Sequence, residues 1–188
     1  MAGTAQTTLD ELARIEDAVR RPRTAVWFPL LVFGLIDIVG APLAWVIGRE
    51  HLGPYFLPMS VLGAILCVRH YRDTGRTSGL QTPAFVWLGV ILAAALAAAA
   101  CSGIGGDNDW DALNLAGPAV SFMVGYTVLG VWARSTTMLF VVAGLGATAV
   151  TVLAFARGDT AIGLQLLGFA VTMLPLAALN YRQFGSAA

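Results

Sequence analysis

The chain has 188 residues, of which 57% are hydrophobic and only 12% are charged, and its formal net charge is zero. In soluble domains about a quarter of all residues are charged, so this composition excludes an ordinary soluble domain and indicates a membrane protein. The neutral balance gives no support for a nucleic-acid partner. The sequence predicts an all-α polytopic membrane protein, a bundle of six transmembrane helices with a short amphipathic N-terminal helix, divided into residues 1–25, 26–182 and a tail of 183–188.

The first 25 residues are polar and lack the apolar core of a cleavable signal peptide, so we expect the first span to act as an uncleaved insertion signal. Residues 8–21 predict a short helix, because Thr8 and Glu11 have capping-box spacing and apolar residues recur on one face. Two interpretations stay open. The segment is either a cytoplasmic tail ordered by the first span, or a helix that binds a partner protein or the bilayer surface.

Six apolar runs follow this segment, separated by short connections rich in turn residues. They are 26–48, 54–68, 83–101, 112–133, 136–156 and 160–181. Five are long enough to cross a hydrocarbon core of about 30 Å, and the second, shorter run is extended by polar and aromatic residues at its ends. The sequence therefore predicts six spans in contact with the lipid bilayer.

Arginines are divided unequally between the two sets of connections. One set holds Arg14, Arg20, Arg21, Arg23, Arg69, Arg72, Arg76, Arg134 and Arg182, whereas the other holds only Arg49 and Arg157. The positive-inside rule places the first set, with both termini, in the cytoplasm. All basic residues are arginine in a chain rich in alanine and glycine, which is typical of a GC-rich bacterial gene, so the predicted location is a bacterial plasma membrane.

Asp37 lies at the midpoint of the first apolar run, close to the predicted membrane midplane. An ionised side chain at that depth is disfavoured by several kcal/mol, and acids at such positions are commonly functional. Gly34, Ala41 and Ala44 share its helix face at spacings of three and four, and such small residues let a neighbouring helix approach. We therefore expect Asp37 to face protein. It is the leading candidate for a functional residue, and the alternative is a carboxyl that only fixes helix packing.

Further polar residues form stripes of helical spacing along the other spans. The candidates among them are Ser60, Asn114, Ser121, Gln165 and Thr172. Such stripes form in ordinary helix packing, where hydroxyl and amide groups bond across helices. The functional alternative is a polar cavity, in which Ser60, Asn114 and Gln165, all in the outer halves of their spans, line a vestibule with Asp37.

Motifs for metals and cofactors are missing from the sequence. Asp107, Asp109 and Asp111 alternate like the start of a calcium loop, but Ala112 stands where that loop has glycine and Pro118 where it has glutamate. No nucleotide-binding, zinc-protease or haem-attachment motif occurs. The sequence therefore predicts no metal site and no cofactor, and it leaves the catalytic residues unknown.

These features favour a non-enzymatic function. The prediction is a small transporter, or an accessory subunit that binds a partner protein through its bundle or its N-terminal helix. One alternative is a membrane enzyme acting on a lipidic or hydrophobic substrate with Asp37 as general acid or base. Another is a membrane sensor, and assembly into a homo-oligomer stays open with each of them.

Overall fold

The computed structural model describes most of the predicted spans. It covers Glu11 and residues 26–48, 51–78, 89–94, 96–97, 99–100, 111–133, 135–155 and 158–184. Among these residues the structure is helical throughout, apart from short connections, and contains no strand. The predicted N-terminal helix, except for the exposed Glu11, and the C-terminal tail lie outside the described residues.

Five helices have defined ends. They are α1 (Trp27–Ile47), α2 (Gly53–Ser78), α3 (Asp111–Ala133), α4 (Thr136–Phe155) and α5 (Gly158–Phe184). The described residues of 89–100, within the predicted third span, are helical too. Four of the five helices follow the predicted runs closely, whereas α2 continues to Ser78, past the predicted end at 68. The arginines of this extension are good helix formers, so the helix does not stop where hydropathy falls.

Three stretches are long and apolar enough to cross a membrane: Trp27–Ile47, Thr136–Phe155 and Thr160–Gln183, with a shorter apolar stretch at Ala119–Val131. Large apolar side chains on these helices point outward, and Phe140 and Phe155 are mostly exposed. Exposed apolar surface of this extent is expected where the solvent is lipid. The described residues thus form a helical structure with three candidate spans, which supports a membrane protein, and the count of six stays a prediction.

Among the described helices, α1 and α5 form the most extensive contact of the bundle. Helix α4 packs beside α5, α3 beside α4, and α2 against the other side of α1. A common core fills the space between α1, α3, α4 and α5, and it is centred on Leu30, Tyr126, Leu145, Phe169 and Met173. Because α1 contacts both α2 and α5, the face of its middle that carries Gly34, Asp37 and Ala41 is enclosed by protein, whereas Leu35 and Val39 on another face are exposed.

Glycines set the spacing between the helices. A β-carbon on Gly34 would lie 2.9 Å from Leu174 Cδ2, and one on Gly163 would collide with the Trp45 indole. Because these two contacts run in opposite order along the helices, α1 is antiparallel to α5. On the other side of α5, Gly144 accommodates Thr172 and Gly168 accommodates Thr148. Contacts of small residues at both seams are the usual way in which membrane helices approach closely.

One end of the bundle carries basic and aromatic residues together. His70 of α2 stacks on Phe28 with ring centroids 4.0 Å apart, and Trp27 contacts both His70 and Tyr181 edge to face. Arg69, Arg72 and Arg182 are close in sequence to these rings, so we call this the arginine end. Aromatic rings beside arginines are typical of a membrane interface.

Candidate functional site around Asp37

Asp37 is completely buried in the middle of α1, with 0% of its surface exposed. Its helix neighbours Gly34, Ala41 and Ala44 are buried with it, and Gly34 faces Leu174 of α5. The stripe of small residues therefore faces protein, as the sequence predicts. Helix periodicity places Asp37 on the same face, against the densest contact of the bundle.

Neither carboxylate oxygen of Asp37 has a hydrogen-bond partner among the described residues. Buried side-chain oxygens nearly always have such a partner, and an unpaired one requires an explanation such as a bound water or ion. Burying an ionised carboxylate without a partner costs several kcal/mol at this depth. The neutral acid is therefore the stable form while the site is closed, and ionisation requires a cation or water beside it.

Two tyrosines lie within electrostatic range of Asp37. Tyr126 of α3 is buried in the common core, and its hydroxyl donates to Met173 Sδ at 3.6 Å. Tyr55 of α2 donates to the backbone carbonyl of Ile36 at 2.9 Å. Gly40 gives α2 room for this contact, since a β-carbon there would collide with Phe56 and lie 3.3 Å from the Tyr55 ring. The two hydroxyls belong to different helices, and each donates its hydrogen bond to a group other than Asp37.

Gln165 is the second buried polar side chain with an unpaired atom. Only 3% of the residue is exposed, and Nε2 has no hydrogen-bond partner in the described part of the chain. The contact of Gly34 with Leu174 puts Asp37 opposite position 171 of α5, so Gln165 lies roughly 9 Å from that level along the helix axis. Asp37 and Gln165 thus belong to the same helix pair but do not touch at this spacing.

The other sequence candidates have different surroundings. Ser121 Oγ donates to the Gly117 carbonyl at 2.8 Å, and Thr172 Oγ1 donates to the Gly168 carbonyl at 2.9 Å. Both hydroxyls are therefore bonded within their own helices, an arrangement common for serine and threonine in membrane spans. Ser60 is half-buried on α2, and the side chain of Asn114 lies outside the described residues. Because the Asn114 side chain is not described, the vestibule of Asp37, Ser60, Asn114 and Gln165 stays a prediction.

Sequence reasoning missed Tyr126 and Asn180. Asn180 of α5 is 1% exposed, and its Oδ1 accepts from the Val26 backbone N–H at 2.9 Å while its Nδ2 donates to Thr137 Oγ1 at 3.4 Å. It thereby caps the start of α1, where Val26 has no side chain able to do so. Position alone could have suggested both residues, because a tyrosine in mid-span and an asparagine near a span end need polar partners.

The described residues contain no group of three or more metal-binding side chains. The Asp37 carboxyl itself, with both oxygens unpaired among the described residues, can hold a proton or take part in binding a single cation. Comparison of the chain with protein-family models, with curated proteins and with solved structures gives no match.

Proposed function

We propose that the protein is a transporter in which Asp37 binds and releases the coupling ion, a proton or a small cation. The observation that carries this proposal is the complete burial of Asp37 in mid-span with both carboxylate oxygens unpaired. A group that only fixed helix packing would be expected to bond across the seam. An ion-coupling carboxyl instead needs oxygen atoms without hydrogen-bond partners in the state that lacks the ion.

Transport accounts for the closed site better than catalysis does. A general acid or base must reach its substrate, and it usually works with a second titratable group. Asp37 is sealed on all sides, and the polar groups described near it are tyrosines. Alternating access, by contrast, includes states in which a midplane site is closed to both faces. Gly34, Ala41 and Ala44 at the seam of α1 and α5 let the two helices lie close together around this site.

The proposed arrangement in the cell is a bacterial plasma membrane with six spans and both termini in the cytoplasm. It is supported by the positive-inside pattern and by the grouping of Arg69, Arg72 and Arg182 at one end. Reporter fusions that are active in only one compartment test it. Fusions at residue 76 and at the C-terminus should report cytoplasm, and a fusion at residue 107 should report the outside. A C-terminus outside would overturn the six-span arrangement.

The transport experiment uses protein reconstituted in liposomes that contain a pH-sensitive dye, with the membrane potential clamped by potassium and valinomycin. A panel of sugars, amino acids and organic and inorganic cations is added outside under an inward proton gradient. We expect at least one solute to accelerate internal acidification in wild type. Asp37→Asn should abolish this acceleration, because an amide keeps the size and hydrogen bonding of the side chain but cannot ionise.

The matched control is Glu11→Gln, which makes the same carboxylate-to-amide change at an exposed position. It should behave as wild type. Equal acidification by wild type and Asp37→Asn with every solute would overturn proton coupling by Asp37, provided that both proteins elute as folded protein in gel filtration.

A further inference from the structure

A groove lies on the face of α2 that turns away from α1. Its described lining comprises Val61, Ala64, Ile65, Val68, Arg69, Arg72, Asp73 and Ile91, and its volume is about 710 Å³. The groove runs along α2, because its lining residues recur there at spacings of three and four. Ile91, from the helical residues of 89–94, forms the opposite wall. Val61, Ile65 and Ile91 are each about half exposed, so the groove is open to the surroundings of the bundle.

The length of the groove along α2 matches the thickness of one bilayer leaflet. From Val61 to Arg72 the helix rises roughly 16 Å at 1.5 Å per residue, about half of a hydrocarbon core of 30 Å. The apolar part of the groove lies at the level of the bundle's middle along the helix axis. Its charged part lies at the arginine end, where the neighbouring His70 packs among Trp27 and Phe28 at the level expected of the interface.

The charged part of the groove is basic. Arg69 and Arg72 stand against a single carboxylate, that of Asp73, and Arg69 Nε lies 3.9 Å from Asp73 Oδ2. That separation is long for an ion pair, and the two side chains are 80% and 61% exposed, so the pair holds the Arg69 guanidinium only weakly. Guanidinium groups bind phosphate through paired N–H donors.

We propose that this groove is a binding site for an anionic phospholipid. The phosphate is held by Arg69 and Arg72, and an acyl chain lies along Val61, Ile65 and Ile91. The length of the apolar part matches one leaflet, and the position of the arginines matches the head-group layer. The net positive charge selects an anionic lipid over a zwitterionic one. This inference is independent of the proposed transport activity, because Asp37 lies on another helix and does not line the groove.

Native mass spectrometry of the full chain, titrated in detergent with phosphatidylglycerol or phosphatidylcholine, tests the proposal. Wild type should bind phosphatidylglycerol more tightly. Arg69→Gln and Arg72→Gln should each weaken phosphatidylglycerol binding about fivefold, with little effect on phosphatidylcholine. Asp73→Asn should strengthen it, since it removes a charge that repels the phosphate. Val61→Trp should weaken binding of both lipids by filling the apolar part.

Arg182→Gln is the matched control, because Arg182 is exposed at the same end of the bundle and does not line the groove. It should leave lipid binding unchanged. If it weakens phosphatidylglycerol binding as much as Arg69→Gln does, the attraction is general to the arginine end and the groove is not a site. The proposal is equally overturned if Val61→Trp, with wild-type elution in gel filtration, keeps full binding.

Two further outcomes would assign the groove to another occupant. Displacement of the bound lipid by inorganic phosphate would show a site for a soluble anion. A dimer in the mass spectrum that Val61→Trp converts to monomer would show that a second copy of the chain covers the groove. Either result contradicts the lipid assignment.

Discussion

Asn180 and Asp37 are both polar side chains buried at helix seams of the same bundle, yet their surroundings differ in kind. The Asn180 amide joins three helices, through the Val26 backbone of α1 and the Thr137 hydroxyl of α4. The Asp37 carboxyl has no hydrogen-bond partner among the described residues. Burial alone therefore does not distinguish these two side chains. What distinguishes them is whether described residues use the hydrogen-bonding capacity of the side chain.

The largest effect on stability is expected from Asn180→Leu. Leucine cannot accept from the Val26 N–H, so the buried start of α1 loses its cap, and we expect the free energy of unfolding to fall by about 3 kcal/mol. Unfolding in mixed micelles with increasing dodecyl sulfate measures it. Thr137→Val, which removes only the longer contact of 3.4 Å, should cost less than about 1 kcal/mol. Equal losses in the two variants would mean that the cap on Val26 is not the main contribution.

Asp37→Val is expected to change the free energy of unfolding in the opposite direction. The substitution replaces an unpaired buried carboxyl with an aliphatic side chain only slightly larger, so the free energy of unfolding should stay unchanged or rise by about 1 kcal/mol. Ala41→Val changes a neighbour on the same seam and should instead destabilise by overpacking. A clear loss of stability in Asp37→Val, similar to that of Asn180→Leu, would show that the carboxyl is bonded after all and would remove the contrast between the two residues.

The smallest effect on stability is expected from protonation of His70, at the arginine end. Burial lowers the pKa of His70 from its ordinary value of 6.5, while the Asp73 carboxylate acts in the opposite direction. The unfolded chain thus binds the proton more tightly, so stability is full above pH 6.5 and decreases as the pH falls through the lowered pKa. Unfolding in the same micelles between pH 7 and 5 should show this small decrease.

His70→Phe is the test of that assignment, because phenylalanine keeps the stacking on Phe28 and cannot titrate. The variant should lose the dependence on pH in this range. A dependence that persisted in His70→Phe would have to come from another group.

The sequence predicted those features that depend on local pattern. The limits of α1 and α4 follow from apolar runs bounded by turn residues, and the facing of Asp37 follows from its small neighbours Gly34 and Ala41. The end of α2 was predicted too early, because hydropathy registers the loss of apolar residues at Arg69 but not the continued helical propensity of the segment.

The partners of the candidate site could not be predicted in the same way. Asn180 and Val26 are 154 residues apart in sequence, and Tyr126 meets Met173 across two different helices. Helical periodicity shows which face of a helix is polar or small but not which helix covers it. The pairing of α1 with α5 depends on the complete bundle, and so does the closure of the protein around Asp37.

That pairing also has a consequence for biosynthesis. Helix α1 leaves the ribosome well before its main neighbour α5, which follows only after about 110 further residues, and at ordinary translation speed this interval lasts roughly 5 to 20 seconds. Throughout this interval α5 is not available to cover Asp37. Nascent α1 must therefore be held by the insertion machinery, or lie in lipid with a neutral carboxyl, until α5 arrives. The site cannot close before α5 is synthesised, and a chain truncated before α5 exposes the acid that the folded protein buries.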